Sequence, residues 1–219
     1  MYIFNGLGAK FMKKSRRPKL LLLAGVNGVG KSTLSMELAN FLKIKRVVST
    51  DSIREVLRSN VDSLEAPELH RSTFSVGRYK HPISDWEECS NVVSGGINSI
   101  IDKSRREGVD LILEGVHIKP DNEIIRKWEN AGGVAIGVIL YVHNHENHKQ
   151  MLVSREKETW RNADRYLSSF DTIRNIQNGI LDIGKPLNWK TIDLSTGINA
   201  VSEIAHWFDL EWNRAEQNL

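Results

Sequence analysis

Five short apolar runs punctuate the chain: Lys19–Ala24, Arg46–Ser49, Asp110–Leu113, Val134–Val142 and Lys190–Leu194. None alternates apolar with polar residues as a strand wetted on one face would. Continuous runs of this kind predict strands covered on both sides, as in a parallel sheet. Between them the period lengthens. Lys31–Leu42 predicts a first helix, and Ser52–Ser59 opens a second. Glu87–Glu107 carries Val92, Val93, Ile97, Ile100 and Ile101 on one side. Ile198–Glu216 repeats the pattern with Val201, Ile204, Ala205, Phe208 and Trp212. Such spacing marks helices with one buried stripe. Strands alternating with helices argue a doubly wound α/β sheet. Right-handed crossovers then bring the loops that follow the strands to one edge, where ligands bind. Trp86, Trp128, Trp189, Trp207 and Trp212 are expected in the core and its rim rather than in a binding box.

Composition narrows this picture. The 219 residues, 40% hydrophobic, suffice for one sizeable core and are short for two. No apolar run approaches the length that spans a bilayer. The formal charge of +3 comes from one end: Lys10, Lys13, Lys14, Arg16, Arg17 and Lys19 stand in a stretch with no acid, leaving 24 basic against 27 acidic residues in the remainder. Residues 1–18 therefore read as a basic, flexible leader, and residues 19–219 as a single domain. The leader lacks a continuous apolar segment and a small-residue cleavage site, so it does not read as a secretory signal. The globular part has no basic stripe, which argues against a nucleic-acid partner. Cys89 is the sole cysteine, expected as a buried spectator thiol, and fits a reducing cytoplasm. A homo-oligomer stays open.

The chemistry begins at Gly25-Val26-Asn27-Gly28-Val29-Gly30-Lys31-Ser32, which fits G-x-x-x-x-G-K-[ST]. A predicted strand precedes it and a predicted helix follows. Glycines let the backbone turn tightly and aim N–H groups inward as an anion nest. The helix N-terminus adds partial positive charge. Lys31 would reach the outer phosphates and Ser32 would ligate Mg²⁺. Gly25, Asn27, Gly28, Val29, Gly30, Lys31, Ser32 and Thr33 are the candidate nucleotide contacts. A Mg²⁺ site of this class draws on a carboxylate at the end of a neighbouring strand. Glu114, which ends the apolar run DLIL, is the candidate.

Phosphate loops serve switches, motors and small-molecule kinases. No guanine-reading N-K-x-D motif is present, and motors are usually larger. A small-molecule kinase needs an acceptor site, a basic lid and a base-binding loop. Asp51 and Arg54, three apart, share a helix face after the second strand. An aspartate there can orient a hydroxyl or take its proton, and an arginine beside it can clamp a carboxylate or phosphate. Asp51 also suits a helix cap, and the two roles are compatible. The lid is predicted over Met151–Ser169, where Arg155, Arg161 and Arg165 crowd together. Positive charge there stabilises a transferring phosphoryl group. An ordinary charged helix paired through Glu156 and Glu158 is the alternative. Ser195–Asn199 would edge the base. The run His143-Asn-His145-Glu-Asn-His148 is expected as a solvated loop opening the lid helix rather than a Zn²⁺ site.

VNGVGKST, STDSIREVLRS, APELHRSTF, LILEGVHIKP and RYLSSFDTIRNIQNGIL together resemble the 2-phosphoglycerate kinases, from about Leu20 to about Ser195. The resemblance implies a three-layer P-loop NTPase fold with a five-stranded parallel sheet, order 2-3-1-4-5, and a helical lid. It implies ATP and Mg²⁺ as phosphoryl donor, and conversion of 2-phosphoglycerate to 2,3-bisphosphoglycerate. It places Thr50, Asp51 and Arg54 at the acceptor pocket and His70 and Arg71 in a segment over the substrate. Glu114 and His117 fall at the end of the third strand, and Arg155, Arg161, Arg165 and Arg174 in or after the lid. Lys31, Asp51, Arg155 and Arg161 are then the catalytic candidates. Asp51, Arg54, His70, Arg71, His117, Arg165 and Arg174 are the substrate candidates, with Ser32 and Glu114 for the metal. No counterpart of the N-terminal regulatory domain of larger members is legible, and Ser75–Asp85 and the chain after Ser195 depart from the pattern. The residues themselves agree with an anionic alcohol without naming it. Another small acceptor (polyol, nucleoside or nucleotide), a regulatory nucleotide-binding protein, and a nucleic-acid enzyme anchored by the basic leader remain the alternatives.

Overall fold

A computed structural model describes residues 16–158 and 163–217. Five strands, β1 (Lys19–Ala24), β2 (Val47–Ser49), β3 (Leu111–Gly115), β4 (Val134–Tyr141) and β5 (Lys190–Asp193), form one parallel sheet in the order β2-β3-β1-β4-β5. This is the predicted P-loop order. Helices α1 (Lys31–Leu42) and α9 (Ala200–Gln217) pack together on one face. Helices α4 (Pro82–Glu107), α5 (Asn122–Asn130) and α8 (Phe170–Gly184) cover the other. The absence of alternation in KLLLLA now has its cause: Leu20 to Ala24 are all buried, between two helical layers.

Several boundaries differ from the expected ones. β3 continues through Glu114 and Gly115, so the acid lies within the strand rather than beyond it. Helix α2 (Thr50–Arg58) starts two residues early because the Ser49 side chain caps it, accepting from Asp51 N at 3.1 Å. α4 starts at Pro82, with His81 as cap and proline in the first turn, where its missing N–H costs nothing. Three short elements carry little periodicity of their own: α3 (Pro67–His70), α7 (Ala163–Leu167) and a 3₁₀ turn (Lys185–Leu187).

The tryptophans pack as expected. Trp86 and Trp128 are buried, and their indole N–H groups donate to Val116 O (2.7 Å) and Pro18 O (2.9 Å). Trp189 lies flat on Gly137 of β4. Cys89 is buried and its thiol is pushed up to about 11 by that burial, so it is unreactive. Among the described residues no helix is long and apolar enough to cross a membrane.

A Cβ on Gly137 would stand 2.5 Å from the Trp189 ring. Gly137→Ala is therefore expected to destabilise the fold by about 1–3 kcal/mol, read as a lower urea midpoint. An unchanged midpoint would mean that the Trp189 contact is not made in solution.

Candidate active site

β1 ends at Ala24, the loop 25–30 turns, and α1 begins at Lys31. Gly28 has φ 84°, in the left-handed region, and a Cβ there would sit 2.5 Å from a Leu152 methyl. Gly30 stands at the N-cap of α1 without a capping side chain. The positive end of that helix's dipole therefore faces the loop. Lys31 Nζ donates to Val26 O at 2.8 Å. β1 pairs with β3 so that Leu23 faces Glu114. The Ser32 hydroxyl donates to the Glu114 carboxylate at 3.0 Å, and Glu114 is 5% exposed. Two hard oxygen donors beside a phosphate loop fit Mg²⁺, which takes few protein ligands and completes its shell with phosphate oxygens and water.

β2 pairs with β3 at Ser49↔Glu114, which brings Thr50 and Asp51 beside Gly115. Gly115 has φ 153°, and a Cβ on it would fall 1.7 Å from Thr50 Oγ1. With no side chain there, buried Thr50 can close on His117, whose Nδ1 lies 3.0 Å from Thr50 Oγ1 and whose Nε2 lies 3.2 Å from Thr73 Oγ1. His117 Nδ1 is also 3.7 Å from an Asp51 oxygen. Burial lowers the His117 pKa to about 4 against the opposing pull of Asp51. The imidazole is neutral at pH 7, so this contact is not an ion pair. The Asp51 carboxylate itself is 54% exposed.

It faces a cavity of about 680 Å³ that begins at Asn27 of the phosphate loop. Asp51, Arg54, His70 and Arg165, four of the substrate candidates, line it. Arg58 also lines it and was missed, although it is one turn beyond Arg54. Phe74 and Tyr166, centroids 5.3 Å apart, roof the cavity, with the Arg165 guanidinium 5.6 Å from the Phe74 ring. No local signal marks that pair, because it joins distant segments. A second cavity, about 550 Å³, lies between α6 (His145–Glu158) and the loop after β5. It is lined by Met151, Leu194, Ser195 and Gly197, and so holds part of the predicted base loop.

Other predicted residues are employed elsewhere. Arg71 pairs with Glu88 at 3.0 Å and donates to Asp85 O at 2.7 Å, clamping its loop to α4. Only its carbonyl touches the pocket wall, accepting from Arg54 at 2.6 Å. Arg174 is buried behind β4 and donates to Val142 O and His143 O. Both guanidinium groups were expected on substrate; the demand of buried carbonyls for donors takes them instead. His117 has both ring nitrogens within hydrogen-bond reach of threonine hydroxyls, which ties it to Thr50 and Thr73. His70 is exposed, with a ring nitrogen 2.9 Å from Val61 O. Arg161 and the Arg155 side chain lie outside the described residues. The expected solvated histidine loop is also corrected. His145 opens α6, and His148 is buried, its Nε2 2.8 Å from Asn27 O.

These features define a P-loop kinase fold. A shikimate kinase from Bacteroides thetaiotaomicron, 13% identical, shares it with a TM-score of 0.51 over 87% of this chain and 98% of that one. Residues 6–187 match the family model described as Zeta toxin, and the chain belongs to that family. The resemblance to 2-phosphoglycerate kinases is borne out at the level of sequence. The Pyrococcus horikoshii 2-phosphoglycerate kinase is 34% identical over 188 residues, 83% of this chain and 61% of its own length. That of Methanocaldococcus jannaschii is 33% identical over 180 residues, 80% of this chain and 58% of its own. The chain thus spans about three-fifths of these relatives.

The buried neutral His117 makes stability depend on pH. Its folded pKa lies below the unfolded value of 6.5, so the unfolded state binds more protons between about pH 4 and 6.5. Stability is full above that window and falls through it on acidification, by up to about 3 kcal/mol. Urea denaturation of His117→Gln at pH 5 and 7 should show a correspondingly smaller loss than the parent. Equal losses would mean that His117 protonates without cost.

Proposed function

We propose that the chain is an ATP-dependent kinase that phosphorylates a hydroxyl of a small anionic metabolite, 2-phosphoglycerate first among them, to give 2,3-bisphosphoglycerate. The observation that carries this reading is the half-exposed Asp51 carboxylate beside Arg54, Arg58, His70 and Arg165 in a cavity that begins at the phosphate loop. The names of the sequence relatives support the substrate. A cytoplasmic location belongs to the same proposal.

In this reading Lys31 and the backbone of 27–32 hold the nucleotide phosphates. Ser32, with Glu114 through water, would hold Mg²⁺, which would supply charge neutralisation. Asp51 aligns the acceptor hydroxyl and receives its proton as the oxygen bonds to the γ-phosphorus and the bond to ADP breaks. Because phosphoryl transition states are loose, alignment outweighs deprotonation. Arg54 and Arg58 take the acceptor's carboxylate and phosphate. Arg165, with Arg155 and Arg161, closes on the transferring group. Phe74 and Tyr166 keep water from competing for it.

ADP release from Mg-ATP should rise with 2-phosphoglycerate and not with 3-phosphoglycerate, glycerate, inositol or nucleoside monophosphates. Asp51→Asn should lower the stimulated rate by about 10²–10⁴-fold. Stimulation by another of these compounds would keep the kinase and discard the substrate. No stimulation by any would remove the kinase reading. Arg54→Lys, which loses the planar fork, should raise the acceptor KM about tenfold while kcat changes less. An unaltered KM would place Arg54 outside the acceptor's contacts.

A further inference from the structure

We infer that His148 is a positioning residue for nucleotide binding, holding the phosphate loop in its binding shape and tying it to helix α6. The inference rests on reading that loop as a nucleotide-phosphate site. His148, Met151 and Leu152 are spaced i, i+3, i+4 and so share one face of α6. That face rests on the loop. His148 Nε2 is 2.8 Å from Asn27 O, Leu152 fills the space that a side chain on Gly28 would need, and the Met151 methyl comes within 3.7 Å of where a Gly30 Cβ would be.

The hydrogen bond settles the tautomer. A carbonyl oxygen only accepts, so Nε2 carries the proton. Nδ1 is then bare, and it is buried with no partner. A second proton there would place an unsatisfied N–H in the interior. Burial pushes the pKa down against the opposing pull of the Asn27 carbonyl, and Arg174 from α8, Lys31 from α1 and His145 from α6 itself also oppose the charge. The ring is therefore held neutral as a single-proton donor, its edge against Phe170 with centroids 5.4 Å apart.

A buried imidazole spent on one carbonyl of a flexible loop has a consequence for the ligand. The peptide between Asn27 and Gly28 is planar and trans, so its C=O and N–H point in opposite directions. Holding the Asn27 oxygen outward against α6 turns the Gly28 N–H toward the other side of the loop. Without the bond that peptide is free to rotate, and an inward carbonyl would repel phosphate where an N–H should attract it. Asn27 also lines the acceptor cavity.

The test is calorimetric titration of the full chain with Mg-ADP, beside urea midpoints taken without nucleotide. His148→Phe keeps an aromatic ring against Phe170 but has no donor. His148→Gln loses the ring but keeps an N–H that can reach Asn27 O. The expected result is a Kd for Mg-ADP raised tenfold or more in His148→Phe, and restored to within about threefold of the parent in His148→Gln. The acceptor KM should change less than twofold in both. A packing role predicts the reverse order, with Phe tolerated and Gln damaging, and that order would overturn the inference. So would a parent-like Kd in both variants. If the parent itself does not bind Mg-ADP, the nucleotide reading beneath the inference fails as well.

Discussion

The site depends on the pairing of β3 with both of its neighbours. β3 meets β1 at Leu23↔Glu114 and β2 at Ser49↔Glu114, so one residue fixes two alignments. Through β1 it sets Glu114 against Ser32 at the start of α1. Through β2 it sets Gly115 against Thr50 at the start of α2. Side chains alternate along a strand, and a slip of one residue would turn Glu114 to the opposite face. The Ser32–Glu114 contact and the close fit of Thr50 on Gly115 would be lost together. The register is protected by burial on both faces, because Leu111, Ile112 and Leu113 have no exposed alternative.

From that register a short relay runs to the Asp51 carboxylate. Gly115 admits Thr50, Thr50 and Thr73 bracket His117, and His117 approaches Asp51. None of the three inner groups is charged at neutral pH. Asp51 is thus presented by a neutral buried support to a cavity whose other charges are largely cationic. With that buried support behind it and water in front, the carboxylate is both held in place and accessible. The arginines divide by the same physics. Those with buried carbonyls nearby, Arg71 and Arg174, are drawn into the scaffold; Arg165, on the short exposed α7, is left at the cavity.

The strands, the phosphate loop, Glu114, and the Asp51–Arg54 turn were legible in the linear chain, while the strand order came with the family resemblance. Their signals are local: an unbroken apolar run, a glycine pattern between a strand and a helix, an acid at a strand's end, two residues one turn apart. Arg58 was legible by the same spacing and was overlooked. The assignment of Arg71 and Arg174 to substrate was not correctable from the chain, because what an arginine binds depends on which carbonyls the fold leaves unpaired beside it.

By itself, then, the sequence determined that a parallel sheet would form and that a phosphate cradle would open after its first strand, since burial on both faces and backbone freedom are written in neighbouring residues. Only the tertiary structure decided that His148 is buried against Asn27, that Phe74 meets Tyr166, and that His117 serves two threonines. Each of those contacts joins segments far apart in the chain. It exists because packing brought their surfaces together and the polar groups trapped there had to find partners.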